Sequence, residues 1–217
     1  DGLELPSFGI DGVITLTAEP PVYGCTDPDA SNYDPEANVD DGSCLYTQDL
    51  EIAMQPFMIN SISFNVALED LSVESYFAGI DLLLASNDAS GYYVPSYDVS
   101  TIGDIMMSDG YRVFLNGSEN QSLTLEGFPD QMTSIQMLPN QLNLISYIPN
   151  GCMDTDVALG SIADDILLVS DDQGGYYIPS YGIMTMTEMC PGDGFALFLS
   201  SNEVIDFTYP STDGMAR

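Results

Sequence analysis

Apolar residues alternate with polar ones over short runs along most of this chain, and the runs are broken by Gly, Asn, Asp and Ser. Phe64 and Val66, Leu82 to Ala85 and Tyr111 to Leu115 are rich in branched and aromatic side chains, which predicts half-buried strands. A different period interrupts them once. Leu71, Val73, Tyr76, Phe77 and Ile80 fall on one helical face, and Asp70 in front of them predicts a capped helix over 71–80. Asp156 before Val157 to Ile162 repeats that arrangement. Asn87-Asp88-Ala89-Ser90-Gly91 and Asp171-Asp172-Gln173-Gly174-Gly175 have the composition of hairpin turns. Ser108-Asp109-Gly110 and Gly192-Asp193-Gly194 mark a second turn.

These elements recur because the chain repeats itself. The 35 residues from Asp81 align without gaps on those from Asp165 at a constant offset of 84, and sixteen of the 35 positions are identical. Most differences keep class, such as Val94 for Ile178, Tyr111 for Phe195 and Val113 for Leu197. The match extends outward with one slip of register, from Ile62-Ser63-Phe64 on Ile145-Ser146-Tyr147 to Leu123-Thr124-Leu125 near Phe207-Thr208-Tyr209. A gap-free match over this length preserves which face each side chain takes, so both copies should follow one backbone path. The expected fold is mainly β. Two tandem homologous small β domains, 50–127 and 132–210, each carry one short helix. An acidic loop module over 24–44 precedes them, and 1–20 reads as the tail of a preceding repeat, Asp1-Gly2 matching the turn at Asp109-Gly110.

Composition narrows the function. There are 34 acidic residues against 2 cationic ones, a formal charge of −32. Nucleic-acid affinity comes chiefly from counterions released by Lys and Arg, and Arg112 and Arg217 cannot supply it. Nucleic acid and anionic lipid surfaces are therefore poor partners, and a cation is the partner this charge attracts. With no histidine and no lysine, Ser-His-Asp and Cys-His machinery, Schiff bases and the Walker A loop are absent. Zinc has none of its usual ligand spacings. Paired carboxylates could still hydrolyse glycosides, which is the enzymatic alternative. No stretch approaches the roughly 20 apolar residues of a membrane span, and no basic-then-apolar leader opens the chain. The expectation is a processed, secreted, non-enzymatic segment. Arg217 fits cleavage from a longer parent by a trypsin-like protease.

Four cysteines allow three pairings. An even number in a chain of this kind suits disulfides better than metal clusters. Cys25 with Cys44 and Cys152 with Cys190 is the favoured set, because the first pair closes a loop with too few apolar residues to build its own core. Within that loop Asp27, Asp29, Asn32, Asp34, Glu36, Asn38, Asp40 and Asp41 present oxygens at mostly two-residue intervals. Hard oxygen donors crowded in a turn-rich loop suit Ca²⁺, which accepts six to eight of them in irregular geometry. Asp27, Asp29, Asn32, Asp34, Asn38, Asp40 and Asp41 are the expected calcium ligands. The EF-hand pattern does not fit, since no Gly stands sixth from Asp27 or Asp34.

The stretch GCTDPDASNYDPEANVDDGSC resembles the Gly-Cys-Thr-Asp-Pro to Asp-Asp-Gly-Ser-Cys module of large secreted and surface proteins of marine Bacteroidota, found also in proteins of some aquatic viruses. It looks loosely like calcium-binding thrombospondin type 3 repeats, which implies a metal-stiffened connector. The duplicated unit resembles a second module of the same bacterial proteins, with an Ile-Ser strand, a short helix, a Tyr-x-Pro segment and a Gly-Tyr strand. These resemblances cover most of residues 24–209 and imply export by the type IX route. They carry no enzymatic activity.

One motif invites two readings. Gly-Tyr-Tyr-x-Pro-Ser-Tyr occurs at 91–97 and again at 175–181. Its tyrosines could stack on a sugar ring, but in so small a domain the reading favoured is a core of amphipathic Tyr with Pro at a strand edge. The functional expectation is an extracellular or cell-surface structural and adhesive segment, with a virion surface as a variant. Its partners would be calcium and other copies of itself or surface glycans. Alternatives are a subunit of an extracellular filament or virus fibre, and a carbohydrate-binding module.

Overall fold

Local turn chemistry and strand pairing set the architecture. The computed structural model describes residues 20–129 and 133–210, which form two units, one ending at Leu45 and one beginning at Tyr46. Residues 1–19 of the expected third-copy tail and Arg217 lie outside the described residues.

The first unit has almost no core. Two short strands, β1 (Tyr23–Gly24) and β2 (Val39–Asp40), pair in parallel, and Cys25 and Ala30 are its buried apolar residues. The Cys25–Cys44 disulfide closes the loop, as expected.

The second unit is mainly β and contains both copies. In the first copy β3 (Gln48–Met54), β4 (Asn60–Ser63) and β5 (Val66–Ala67) lead to α1 (Val73–Tyr76). Then follow β6 (Leu82–Ser86), β7 (Tyr92–Val94), β8 (Val99–Ser100), β9 (Gly110–Leu115) and β10 (Gln121–Pro129). The second copy runs through β11 (Ile135–Met137), β12 (Asn143–Ser146), β13 (Met153–Asp154) and α2 (Thr155–Ala158). It continues with β14 (Ile166–Ser170), β15 (Tyr176–Ile178), β16 (Ile183–Met184), β17 (Glu188–Met189), β18 (Gly194–Leu199) and β19 (Ile205–Phe207). The five-stranded sheets β4-β9-β6-β7-β8 and β12-β18-β14-β15-β16 have one topology. Their registers agree pair by pair: Ala85 opposes Tyr93 as Val169 opposes Tyr177, and Leu84 opposes Phe114 as Leu168 opposes Phe198. Both sheets carry the same irregularity after Leu82 and Ile166. Each copy begins earlier than Ile62 and Ile145, because its first strand pairs with its last, Ile52 opposite Leu123 and Ile135 opposite Phe207.

Each copy has its own core. In the first, Phe64 meets the Tyr76 ring edge-on at 4.7 Å, with Tyr111 at 5.7 Å and Phe77 at 6.0 Å. In the second, Tyr147 takes the place of Phe64 and donates its hydroxyl to Gly151 O at 2.6 Å, which meets the hydrogen-bonding demand that burial imposes. Buried Asn60 and Asn143 perform one task twice. Each accepts from a backbone amide five residues upstream, Gln55 and Leu138, at 2.7 Å, and donates to the carbonyl of Val113 or Leu197. They pin the bend between the first two strands of each copy.

The helices are shorter than the pattern predicts. Asp70 does not cap α1. Its carboxylate accepts from Ser72 N at 3.0 Å and Ser75 Oγ at 2.6 Å, so the chain is still turning at Leu71, and Ser72 is the N-cap. Gly79, at φ +84°, ends the segment. Val73, Tyr76 and Phe77 are buried while Leu71 is exposed. In the second copy α2 starts before Asp156, and a 3-10 segment, Gly160–Asp165, follows it.

The copies are joined edge to edge. The outward amides of β4 donate to the second copy: Ser61 N to Asp172 Oδ2 at 2.7 Å and Ser63 N to Gly192 O at 2.9 Å. Those of β12 donate to the first copy: Leu144 N to Asp88 Oδ2 at 2.8 Å and Ser146 N to Ser108 O at 3.3 Å. The serine hydroxyls of Ser63 and Ser146 donate to the carbonyls of Asp193 and Met107. Asp88 and Asp172 occupy equivalent positions, so the seam is reciprocal and closed, like a two-fold interface within one chain. It demands Gly at two places. A Cβ on Gly110 would lie 2.8 Å from Ile145 O, and one on Gly194 would strike Ile62 O.

The Cys152–Cys190 disulfide forms as expected and links the chain before β13 to the chain after β17. Gly110→Ala and Gly194→Ala should each lower unfolding stability by about 1–3 kcal/mol, read from urea midpoints, while Gly160→Ala, in open space, should be near neutral. Replacing Cys152 and Cys190 together by Ala should cost about 4 kcal/mol in the chain-entropy account of the 38-residue separation. A small loss in either experiment would contradict the assigned role.

Candidate functional site

The acidic module is held by turns that its own side chains make. Asp27 accepts from Asp29 N, Asp34 from Glu36 N, Asp40 from Gly42 N and Asp41 from Ser43 N, all at 2.9–3.0 Å. Each is an aspartate bonding the backbone two residues on, the local alternative to a helix or ladder. The two asparagines tie the loop across its width. Asn32 accepts from Leu45 N at 2.7 Å and donates to Ser43 O at 2.6 Å, and Asn38 accepts from Val22 N at 3.0 Å and donates to Pro20 O at 3.3 Å. Asp29 is exposed. Hydrogen bonds from the Ser43 hydroxyl and then its backbone hold Asp41 below the usual carboxylate range.

This geometry bears on calcium. Ligands 2.3–2.6 Å from one ion lie within about 5 Å of each other. Among the described residues the acidic groups of the module do not gather three at a time within that distance, and the trio that does, Cys152, Glu188 and Cys190, has both sulfurs in a disulfide. Asn32 and Asn38 spend their oxygens on the backbone. By that measure no three acidic side chains of the module converge on one point. A Ca²⁺ ion would have to draw exposed carboxylates inward, each aspartate keeping one oxygen in its turn.

The tyrosine motif divides. Tyr177 is buried and Tyr93 half-buried against the core, but Tyr92, Tyr176, Tyr97 and Tyr181 are exposed, so the core reading holds for one ring in three. Pro95–Tyr97 and Pro179–Tyr181 form 3-10 turns that swing the last ring of each motif outward. Burial first, then the charges of Glu74 and Asp98, raises the Tyr93 hydroxyl above its ordinary pKa. Burial and Asp156 do the same to Tyr177.

The seam holds acidic residues whose position sequence reading treated as turn chemistry alone. Asp109 is pushed up by loss of hydration, opposed by a hydrogen bond from Ser108, and raised further by Asp88. Asp193 is pushed up to about 6 by loss of hydration, against the amide bond from Cys190, with Asp172, Asp171 and Glu188 adding to it. Two clefts flank the seam. One, of about 270 Å³, is lined by Ser61, Arg112, Asp171 and Asp172, the other, of about 250 Å³, by Asp88, Ser108, Asp109 and Asn143. The signal that could have found the seam was the identity of Asp88 with Asp172 at positions where a bare turn tolerates other residues.

Comparison with known proteins adds little. No protein-family profile and no solved structure matches the chain. Short stretches resemble chloroplastic ribulose bisphosphate carboxylase/oxygenase activases: 49% identity over 47 residues with the rice protein, 67% over 27 with the spinach protein and 68% over 47 with activase A of barley. These stretches are 22, 12 and 22% of this chain and 10, 6 and 10% of the relatives, so the chain spans about a tenth or less of their length. No family membership follows.

The raised pKa of Asp193 gives a pH dependence of definite sign. The fold prefers its protonated form, so the contribution is favourable below the unfolded carboxylate value near 4 and is lost as pH rises through about 6. The stability of the wild type relative to Asp193→Asn should fall between those values and stay level above about pH 7, in urea unfolding across a pH series. A difference that does not vary with pH would contradict the account.

Proposed function

We propose that the chain is a non-enzymatic, extracellular structural and adhesive segment, in which the disulfide-closed acidic module acts as a connector to a stiff two-copy β unit. The observation that carries this reading is what the duplication retained. Asp88 and Asp172, Ser63 and Ser146, Gly110 and Gly194, and Asn60 and Asn143 all serve the seam or the bends. These retained polar residues and glycines serve architecture. The seam carboxylates that could have offered an acid and base pair are engaged, Asp88 and Asp172 with amides of the opposite copy, Asp109 with Ser108 and Asp193 with the Cys190 amide. Two disulfides support an oxidising compartment. No described helix is long and apolar enough to cross a membrane.

Calcium belongs to this proposal as a ligand that stiffens a module already folded. The exposed positions of Asp29, Asp40 and Asp41 favour the weak range of extracellular modules, a dissociation constant of roughly 0.1–1 mM. A charge of −32 adds self-repulsion, which salt screens to within about 8 Å at 0.15 M.

Calorimetric titration with CaCl₂ should register binding in that range, abolished when Asp27, Asp34 and Asp41 are replaced by Ala. Melting should rise with calcium beyond the effect of NaCl at equal ionic strength. Incubation with polysaccharides should release no reducing ends. Melting indifferent to calcium and chelator would remove the metal from the account, and hydrolysis abolished by replacing a carboxylate pair would hand the case to a glycosidase.

A further inference from the structure

The strongest feature left unexplained by folding is a pair of exposed rings. Tyr97 and Tyr181 are 78% and 77% exposed at equivalent positions of the two copies. Each ends a turn closed by the following amide on the proline carbonyl, Asp98 N to Pro95 O at 3.1 Å and Gly182 N to Pro179 O at 3.0 Å. The residue after each ring lies in the left-handed region, at φ 51° and 62°. Neither ring joins a core, and among the described residues neither hydroxyl has a hydrogen-bond partner. The turn closes through backbone atoms and would form with a smaller polar residue in the ring's place. The duplication nevertheless keeps tyrosine in both copies, with an exposed companion, Tyr92 or Tyr176, on the strand before it.

Charge selects among the ligands that can cover a tyrosine face. The chain carries −32, Asp98 adjoins Tyr97, and Arg112 is the one cation among the described residues. Anionic partners are repelled and cationic ones steered in. An aromatic face carries the negative end of a quadrupole and attracts a guanidinium or ammonium group, with guanidinium the better stacking partner. We propose that Tyr97 and Tyr181 are docking platforms for arginine or lysine side chains of a basic polypeptide, one platform per copy. Both belong to one compact unit, so a partner long enough to reach both is held more tightly than either platform alone would hold it. This deepens the adhesive reading by giving the adhesive its partner.

The test titrates the full chain with dodeca-arginine, dodeca-lysine and an uncharged Gly-Ser peptide at 150 mM NaCl. Tyr97→Ala and Tyr181→Ala should each weaken dodeca-arginine binding about threefold, the value expected for an exposed cation–π contact, and the double variant about tenfold. Tyr97→Phe and Tyr181→Phe should bind like the wild type, arginine should exceed lysine, and melting temperatures should not move. Undiminished arginine binding by the double Ala variant would overturn the proposal, since net charge alone would then account for it. Tyrosine-dependent binding of cellohexaose without tyrosine-dependent binding of dodeca-arginine would overturn it in favour of a glycan. The calcium and hydrolysis measurements do not involve these rings, so either reading can fail alone.

Discussion

Backbone edges that each copy cannot satisfy by itself govern this structure. A strand at the end of a sheet presents amides and carbonyls with no partner, which costs free energy if buried and invites aggregation if exposed. Here β4 and β12 are such edges, and each is completed by the turns of the other copy, through Asp172 and Gly192 in one direction and Asp88 and Ser108 in the other. The opposite edges, β8 and β16, are two residues long and offer little to pair with. A closed seam of this kind makes a pair of repeats the unit of stability. An array of such pairs would be a string of beads, not a continuous solenoid.

The seam also explains where the charge can be tolerated. Asp88 and Asp172 each accept an amide hydrogen bond from the opposite copy, while burial raises the pKa of Asp109 and Asp193 beside them. Carboxylates in close proximity are accommodated by engaging some in backbone hydrogen bonds and raising the pKa of others through burial. The acidic module uses the first device alone, turning each of Asp27, Asp34, Asp40 and Asp41 against its own backbone. A loop without an apolar core is thereby ordered by one disulfide and a series of side-chain turns.

Much of this was legible in the sequence, for identifiable reasons. Strand alternation, the hairpins at Asn87–Gly91 and Asp171–Gly175, and the duplication are local or periodic signals, and the Cys25–Cys44 disulfide follows from loop composition, leaving Cys152 for Cys190. The helix boundary was misread because Asp70 and Ser72 are both good caps, and only the bond from Ser75 N to Ser72 Oγ shows which one begins the helix. The tyrosine motif was misread because a 3-10 turn changes which side of the sheet its last ring faces. The seam was missed because its donors are backbone amides, which every residue carries. Its acceptors are aspartates that look like ordinary turn residues.

The central claim is that the two copies complete each other's edges. Native-state hydrogen exchange of the amides of Ser61, Ser63, Leu144 and Ser146 tests it most directly, because these four point away from their own sheets. The account predicts protection equal to that of the central-strand amides of Val113 and Leu197, lost only in global unfolding. Exchange of the four at the rate of an unpaired sheet edge, while Val113 and Leu197 stay protected, would contradict it.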